Sequence, residues 1–301
     1  MKQISIVPRA LCALAALAAA FSAASSFAQQ SRENLREPVH RVANNSEVPV
    51  RNDEHPLDPA LKIAYEGLSH IRRDIQDYTA TLVKRERING DLMEQEFMDI
   101  KVRNHKEVDG RVVVPFGVYL KFLKPAHMSG RECIWIEGAN EGKLWGHEVP
   151  GIKNLVTVRL DPRGAFAMKG NRYPITDAGV ETLVVRLIEK GERDRKRGEC
   201  DVKFYSGAKI NGRACTLLQV THPVERPYFD FHQAQIFIDD ELQVPIRYAA
   251  YHWPSVPGKK LGVEELEEEY TYLNMKINVG LRDADFDWRN PGYQFPDRLF
   301  N

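Results

Sequence analysis

The sequence predicts a mainly β protein of the α+β class, with one strongly curved antiparallel sheet of about ten or eleven strands under two amphipathic helices. Short segments of alternating apolar and polar residues are joined by tight turns, and only two stretches repeat apolar residues at helical spacing. Parallel strands need long crossovers, so short turns imply antiparallel pairing. Because one sheet face is apolar, we expect the helices to cover it and to leave a half-barrel that is not fully packed inside.

Residues 1–28 are predicted to be a signal peptide. Lys2 and Arg9 flank the start of an apolar run over residues 11–20, and Ser26-Phe27-Ala28 has the small-x-small pattern that signal peptidase accepts. The run is too short to span a bilayer as a permanent helix, although a retained N-terminal anchor is the alternative. We therefore expect a periplasmic or extracellular protein with no stable membrane span after cleavage.

Residues 29–56 are polar, carry charges of both signs and contain few large apolar side chains. Such a segment cannot bury enough surface to offset its chain entropy, so it is predicted to be a disordered tether. Residues 57–296 are expected to form one domain, because no linker rich in Pro, Gly or Ser divides them, and residues 297–301 form a short tail. The formal net charge of +0 gives no electrostatic reason to expect a nucleic-acid partner.

The first helix is predicted to start at Asp58-Pro59, a capping residue followed by proline in the first turn. Its apolar stripe comprises Leu61, Ala64, Leu68, Ile71 and Ile75. Strands are then predicted over residues 78–86, 92–103, 118–123, 133–136, 143–147 and 155–160. The second helix carries Val180, Leu183, Val184, Leu187 and Ile188 on one face. Further strands are predicted over residues 202–205, 214–221, 233–238, 244–253 and 268–279.

Several short motifs occur along the predicted strands and turns. They are Tyr78-Thr79-Ala80, Lys84-Arg85-Glu86, Lys121-Phe122-Leu123-Lys124-Pro125, Gly130-Arg131-Glu132, Glu141-Gly142-Lys143-Leu144, Ile238-Asp239, Val244-Pro245-Ile246, Tyr272-Leu273-Asn274 and Asp285-Phe286-Asp287. Together they resemble the motifs of the exported bacterial family known as domain of unknown function 1571. That family is in turn similar to the lipoprotein localisation factor (LolA-like) fold, a bent antiparallel half-barrel closed by helices over an apolar cavity. The resemblance covers roughly residues 57–296.

The resemblance implies a non-enzymatic protein that binds, carries or senses a lipid or a lipid-modified protein in the cell envelope. The expected partners are a lipid or acylated protein and an envelope protein, and no cofactor is expected. Burying a methylene yields about 0.8 kcal/mol, so an acyl chain needs a concave apolar surface and little chemistry. The alternative is an envelope hydrolase or a protein that binds carbohydrate or peptidoglycan.

Eight apolar residues are candidates for the cavity wall, each with ordinary core packing as the alternative. They are Leu120, Phe122, Ile134, Trp135, Ile136, Trp145, Leu183 and Leu187. Strand alternation places Trp135 on the face opposite Ile134 and Ile136, so these three cannot all line one wall.

Three cysteines remain after signal cleavage, and Cys200 with Cys215 is the candidate disulfide. A simple hairpin at Asn211-Gly212 would instead place Cys215 opposite Ala208, which leaves this pairing open. Cys133 has the setting of a buried structural cysteine, although His127 and His147 make a nucleophile conceivable.

Other chemical signals are weak. The nine histidines are scattered, although His222, His232 and His252 lie on or beside neighbouring predicted strands. Residues 264–269 hold five acids around Leu266, which favours a charged strand entry or edge over a catalytic pair. Residues 248–254 alternate aromatic side chains as a buried strand does, with sugar stacking as the alternative.

The closing stretch, residues 283–295, contains Asp283, Asp285 and Asp287 at alternate positions. A calcium loop would need Gly and Glu where Trp288 and Gln294 stand. The favoured interpretation is a structural clasp that ends the last strand, formed by Phe286, Trp288, Tyr293 and Phe295.

Overall fold

The computed structural model describes residues 38, 40–41, 55–148, 156–256 and 258–300. The predicted signal peptide and most of the predicted tether lie outside these residues. In the part of the chain so described, no helix is both long and apolar enough to cross a membrane.

Strands dominate the structure. They are β1 (His40–Arg41), β2 (Asp77–Ile88), β3 (Asp91–Leu92), β4 (Glu96–Arg103), β5 (Lys106–Val108), β6 (Arg111–Val114), β7 (Gly117–Lys124), β8 (Glu132–Ile136), β9 (Leu144–His147), β10 (Thr157–Leu160), β11 (Asp201–Ile210), β12 (Arg213–Thr221), β13 (Gln233–Asp239), β14 (Pro245–Tyr251), β15 (Leu266–Ile277) and β16 (Leu299–Phe300). The helices are α1 (Asp58–Asp74), α2 (Ala165–Met168) and α3 (Val180–Arg195).

Among the described residues, one sheet of fourteen strands has the order β1-β11-β12-β13-β14-β15-β2-β4-β7-β8-β9-β10-β16, with β3 paired to β2. Its neighbours are antiparallel except β10 and β16, which run parallel. The order begins at β1 and ends at β16, so the sheet is open. The predicted mainly β architecture with helices over a large antiparallel sheet is confirmed, and the extra strands are mostly pieces of two to four residues.

Helices α1 and α3 pack on one face of the sheet, over β11 to β14. Their shared core contains Leu57, Ala60, Leu61, Phe204, Leu218, Val220, Ala234, Ile236, Tyr248 and Ala250, with Leu183 and Leu187 of α3 packed against it. The opposite face carries a second cluster, where residues beyond β15 cover β7, β8 and β9. The two faces are separate because successive side chains of a strand point to opposite sides.

The acidic run at residues 264–269 was predicted to be a charged strand entry or a charged edge. It does lead into β15, but β15 lies between β14 and β2 in the middle of the sheet, so the edge alternative is wrong. Four acids of the run are buried, namely Glu265, Glu267, Glu268 and Glu269. Beyond β15, Asp283–Phe286 forms a 3₁₀ helix, so the first closing acids do not extend the last strand.

The candidate disulfide is also absent. Cys200 and Cys215 are both free thiols. In the β11–β12 ladder Cys215 lies opposite Ala208, so the tight hairpin at residues 211–212 sets a register that separates the two sulfur atoms.

Candidate functional site

A cavity of about 800 Å³ lies between the helix-covered face of the sheet and the chain segment that leads from β10 into α3. One part of its wall is apolar and is formed by Leu82, Met98, Leu120, Phe122, Leu144, Leu183 and Leu187. The strand residues come from β2, β4, β7 and β9, and the last two come from α3. The ladder sets Leu82 opposite Met98 and Met98 opposite Phe122, which makes a continuous apolar surface across three strands.

The other part of the wall is polar, and we call it the polar end. Its lining residues are Lys84, Glu86, Asn171, Tyr173, Tyr248, Glu268 and Tyr270. Five of them lie on β2, β14 and β15, which are adjacent in the sheet, and two lie on the segment before α3. The cavity is therefore amphiphilic, with this polar end on β14, β15 and β2 and the leucine-rich wall extending toward β9. Further charged residues line the rest of it, among them Arg131, His147, Glu148, Arg159 and Arg186.

Two carboxylates face each other in the polar end. Glu86 and Glu268 are direct cross-strand partners on β2 and β15, and each is only 2% exposed. The Tyr270 hydroxyl donates a short hydrogen bond to Glu86 and lies 3.3 Å from a carboxylate oxygen of Glu268. Like charges at opposed positions destabilise a sheet, so this pair requires compensating groups.

Lys84 supplies part of that compensation. Its ammonium lies 3.4 Å from Glu86, 3.2 Å from Glu96 and 2.6 Å from the side-chain oxygen of Asn171. The Glu96 pKa lies above its ordinary value because burial disfavours the charged form more strongly than Lys84 favours it. One ammonium thus serves two buried carboxylates.

The tyrosines of the polar end remain neutral hydroxyl groups. Burial raises the pKa of Tyr173 to about 12, and burial raises the pKa values of Tyr248 and Tyr270 well above the ordinary value. The neighbouring Glu268 charge acts in the same direction on all three. These side chains can therefore donate hydrogen bonds at any physiological pH.

A family model described as a protein of unknown function, DUF1571, matches residues 75–295, which is more than half of the 301-residue chain. The chain belongs to this family. The membership expected from the short motifs is thereby confirmed. No curated protein matches the sequence.

Three solved structures illustrate what the DUF1571 chain is similar to. A DUF1329 family protein from Desulfovibrio piger shares 14% identity over 78% of this chain and 98% of its own, with a TM-score of 0.37. A LolA superfamily protein from Nitrosomonas europaea shares 11% identity over 75% and 97% of the two chains, with a TM-score of 0.30. The MucA/MucB complex structure of Pseudomonas aeruginosa shares 14% identity over 76% of this chain and 60% of its own, with a TM-score of 0.40.

The predicted cavity residues divide between the two faces of the DUF1571 sheet. Leu120, Phe122, Leu183 and Leu187 line the cavity. Placing Ile134, Ile136 and Trp145 in the cavity wall was wrong, because they pack on the opposite face with Phe286, Trp288, Tyr293 and Phe295. Trp135 points to the cavity side of β8 but lies outside the wall, where its ring contacts Phe116 and its indole N–H donates to the Gly142 carbonyl at 3.1 Å.

The other chemical candidates have structural partners. His222 stacks on Phe229 at 3.8 Å between ring centroids, and His232 bonds the His222 carbonyl at 2.9 Å. In the described residues, no three His, Cys, Asp or Glu side chains are grouped to hold a metal ion. Burial raises the pKa of the Cys133 thiol to about 11, which disfavours a thiolate nucleophile.

The closing acids are likewise paired. Asp285 accepts a hydrogen bond from Lys101 at 2.7 Å. Asp283 pairs with Arg103 at 2.5 Å, and Asp287 pairs with Arg289 at 2.9 Å. Each carboxylate therefore has its own cation, and none is left to form a calcium loop.

Sequence reasoning missed the polar end. Glu86 and Glu268 lie 182 positions apart, and nothing local marks them as opposed. The available signal was the alternation of apolar and charged residues along β2, where Leu82 is followed at the same face by Lys84 and Glu86. A strand whose buried face changes from leucine to charge indicates a polar site inside the fold.

Proposed function

We propose that this protein is a non-enzymatic, exported binder of an amphiphile, which it carries or senses in the cell envelope as a lipid or as a lipid-modified protein. The observation that carries the proposal is the cavity of about 800 Å³ with a continuous apolar wall. Ligand sites for drug-sized molecules have volumes of about 300–1,000 Å³. Ten methylenes placed against that wall would contribute on the order of 8 kcal/mol before ordering costs.

The apolar wall supports a chain-binding role over ordinary core packing. Leu120 is only partly buried although it lies on a central strand, whereas Ile134, on the neighbouring strand, is 0% exposed. A leucine that faces open space inside a fold forgoes part of its packing energy, which a bound acyl chain would restore.

The test is purification of the mature protein without detergent, followed by mass spectrometry of an organic extract and by titration with an environment-sensitive acyl probe. We expect a co-purifying amphiphile or saturable probe uptake. The comparison variant is Phe122→Asp, which places a charge in the apolar wall and should abolish probe uptake by folded protein. Absence of both lipid and uptake in the wild-type protein would contradict the proposal.

A hydrolase is the second candidate, and the opposed carboxylates Glu86 and Glu268 are the observation that favours it. Glycosidic hydrolysis uses two carboxyl groups that flank the scissile bond. Here, however, the Tyr270 hydroxyl already contacts both carboxylates, and Lys84 and Arg172 lie against them. This arrangement supports binding of a polar group more directly than bond cleavage.

A further inference from the structure

We infer that the polar end of the cavity binds a primary amine, so that the ligand is an amphiphile with an ammonium head and an acyl chain. The inference rests on the proposed function, since the chain must occupy the apolar wall for the head to reach the polar end. The charge, the hydrogen bonding and the aromatic surroundings of Glu268 indicate this chemical class of ligand.

The first support is the balance of charge. Lys84 and Arg172 are the cations in contact with the carboxylates of this region, and those carboxylates are Glu86, Glu96, Glu267 and Glu268. Glu267 has two further neighbours, the Arg87 guanidinium at 3.9 Å and a His252 ring nitrogen at 2.6 Å. Arg172 is thus shared between Glu267 and Glu268, and Lys84 is shared between Glu86 and Glu96, so neither Glu86 nor Glu268 has a cation of its own.

The second support is the hydrogen bonding of Glu268. Three of its carboxylate contacts are long, with 3.3 Å to the Tyr248 hydroxyl, 3.3 Å to the Tyr270 hydroxyl and 3.4 Å to Arg172, and the Tyr173 hydroxyl is a further hydrogen-bonding neighbour. The single proton of Tyr270 is committed to Glu86 through its shorter bond. Buried carboxylates normally accept charge-assisted bonds of about 2.7–2.9 Å, which none of these three contacts reaches, and an ammonium group supplies three donors.

The third support is the aromatic wall around Glu268. The Tyr248 and Tyr270 rings are stacked with 6.5 Å between centroids, and the Tyr173 ring lies 6.4 Å from that of Tyr270. The same wall already holds one cation, because the Arg186 guanidinium lies 4.4 Å from the Tyr173 centroid. Ring faces attract cations, so tyrosines beside a carboxylate favour an amine over an anion.

An anionic head is less compatible with this end of the cavity. Three arginines line the cavity, and each is already paired with a carboxylate: Arg131 with Glu148 at 3.0 Å, Arg159 with Glu141 at 3.2 Å and Arg186 with Asp177. A phosphate or carboxylate head at the polar end would meet Glu86 and Glu268 directly, with Lys84 already shared among Glu86, Glu96 and Asn171.

The test compares head groups on one alkyl chain with the wild-type protein. Dodecylamine, dodecyltrimethylammonium, dodecanol and dodecanoate would each be titrated below their micellar concentrations, in competition with an acyl probe. We expect dodecylamine to bind about tenfold or more tightly than dodecanol, the gain typical of one charged hydrogen bond. Dodecyltrimethylammonium should fall between them because it brings charge without an N–H donor, and dodecanoate should bind most weakly.

Two matched variants locate the head group. Glu268→Gln should lower dodecylamine affinity about tenfold while leaving dodecanol affinity unchanged. Glu269→Gln is the control, since Glu269 is also buried on β15 but faces the other side and binds Arg247 at 2.6 Å. It should leave the preference for the amine intact.

The outcomes separate the two proposals. If all four compounds bind with equal affinity, the amine inference is wrong and the proposed function stands. If none displaces the probe and the probe itself does not bind, the proposed function fails first. Mass spectrometry of the co-purified extract distinguishes the two sources of such a head, an aminolipid or an acylated peptide with a free amine.

Discussion

Tyr119 donates a hydrogen bond to Glu132 between β7 and β8, with 2.6 Å between the hydroxyl and carboxylate oxygens. The same carboxylate bonds the His147 ring nitrogen at 2.9 Å and accepts the Gln294 backbone N–H at 2.7 Å. Glu132 and His147 are both fully buried. This network joins the closing residues to the sheet face opposite the cavity, so we expect it to contribute to stability.

Replacing Glu132 with Gln should destabilise the domain by about 2 kcal/mol, because a charged acceptor of three hydrogen bonds becomes a neutral one. Glu148→Gln is the control, since that side chain is 51% exposed and should change stability by less than about 0.5 kcal/mol. Urea unfolding at neutral pH measures both. Equal effects of the two substitutions would contradict the assignment.

Glu132 should also contribute to acid sensitivity. Burial raises its pKa, but bonds from His147, Tyr119 and the Gln294 N–H outweigh burial and hold the pKa below the ordinary 4.5. Its contribution to folding is therefore complete above pH 4.5 and is lost as the pH falls through the lowered folded-state pKa. Unfolding free energies measured across this window should fall less steeply in Glu132→Gln than in the wild type.

Stability should be sensitive to substitution of the buried Asp77. Its carboxylate accepts backbone N–H groups of Val279 at 2.7 Å, Gly280 at 3.1 Å and Leu281 at 3.0 Å. Asp77→Ala leaves three donors unpaired and should cost about 2–4 kcal/mol. Asp74→Ala removes a side chain that is 41% exposed and should cost less than about 0.5 kcal/mol in the same thermal unfolding experiment.

Replacing Gly179 with Ala tests the backbone conformation at the start of α3, and Gly67 in α1 provides a matched control. Gly179 has φ +107°, and an added Cβ would lie 2.9 Å from the Tyr78 hydroxyl, which accepts the Val180 N–H at 3.0 Å. Gly179→Ala should destabilise by about 2 kcal/mol or more. Gly67→Ala in α1 meets nothing within 4 Å and should stabilise by up to about 1 kcal/mol. A stabilised Gly179→Ala protein would show that α3 starts differently.

Alanine substitutions at Leu120 and Ile134 should distinguish a residue of the cavity wall from a residue of the core. Ile134→Ala should cost about 3–4 kcal/mol because the side chain is fully buried. Leu120→Ala should cost about 1 kcal/mol, since part of the side chain already faces the cavity.

Binding should show the reverse order. Leu120→Ala should weaken acyl-probe binding by about tenfold through lost methylene contacts. Ile134→Ala should leave the affinity of the folded fraction unchanged. Stability and probe titrations on the same preparations measure both quantities, and an unchanged affinity in Leu120→Ala would assign Leu120 to the core alone.

The sequence by itself determined the elements whose signals are local. Helices α1 and α3 follow from apolar residues at helical spacing, and the β11–β12 hairpin follows from Asn211-Gly212, which adopts the positive φ values that a tight turn needs. Alternation also determined which residues of a strand share a face, and so separated Trp135 from Ile134.

Only the tertiary structure decided which face encloses the cavity and which acids meet inside it. The run at residues 264–269 has the composition of a solvated edge, yet the strand order places β15 between β14 and β2. Glu86 and Glu268 become partners through that long-range pairing. Local sequence cannot specify such a pair, because burial of a charge depends on which distant groups the folded chain brings to compensate it.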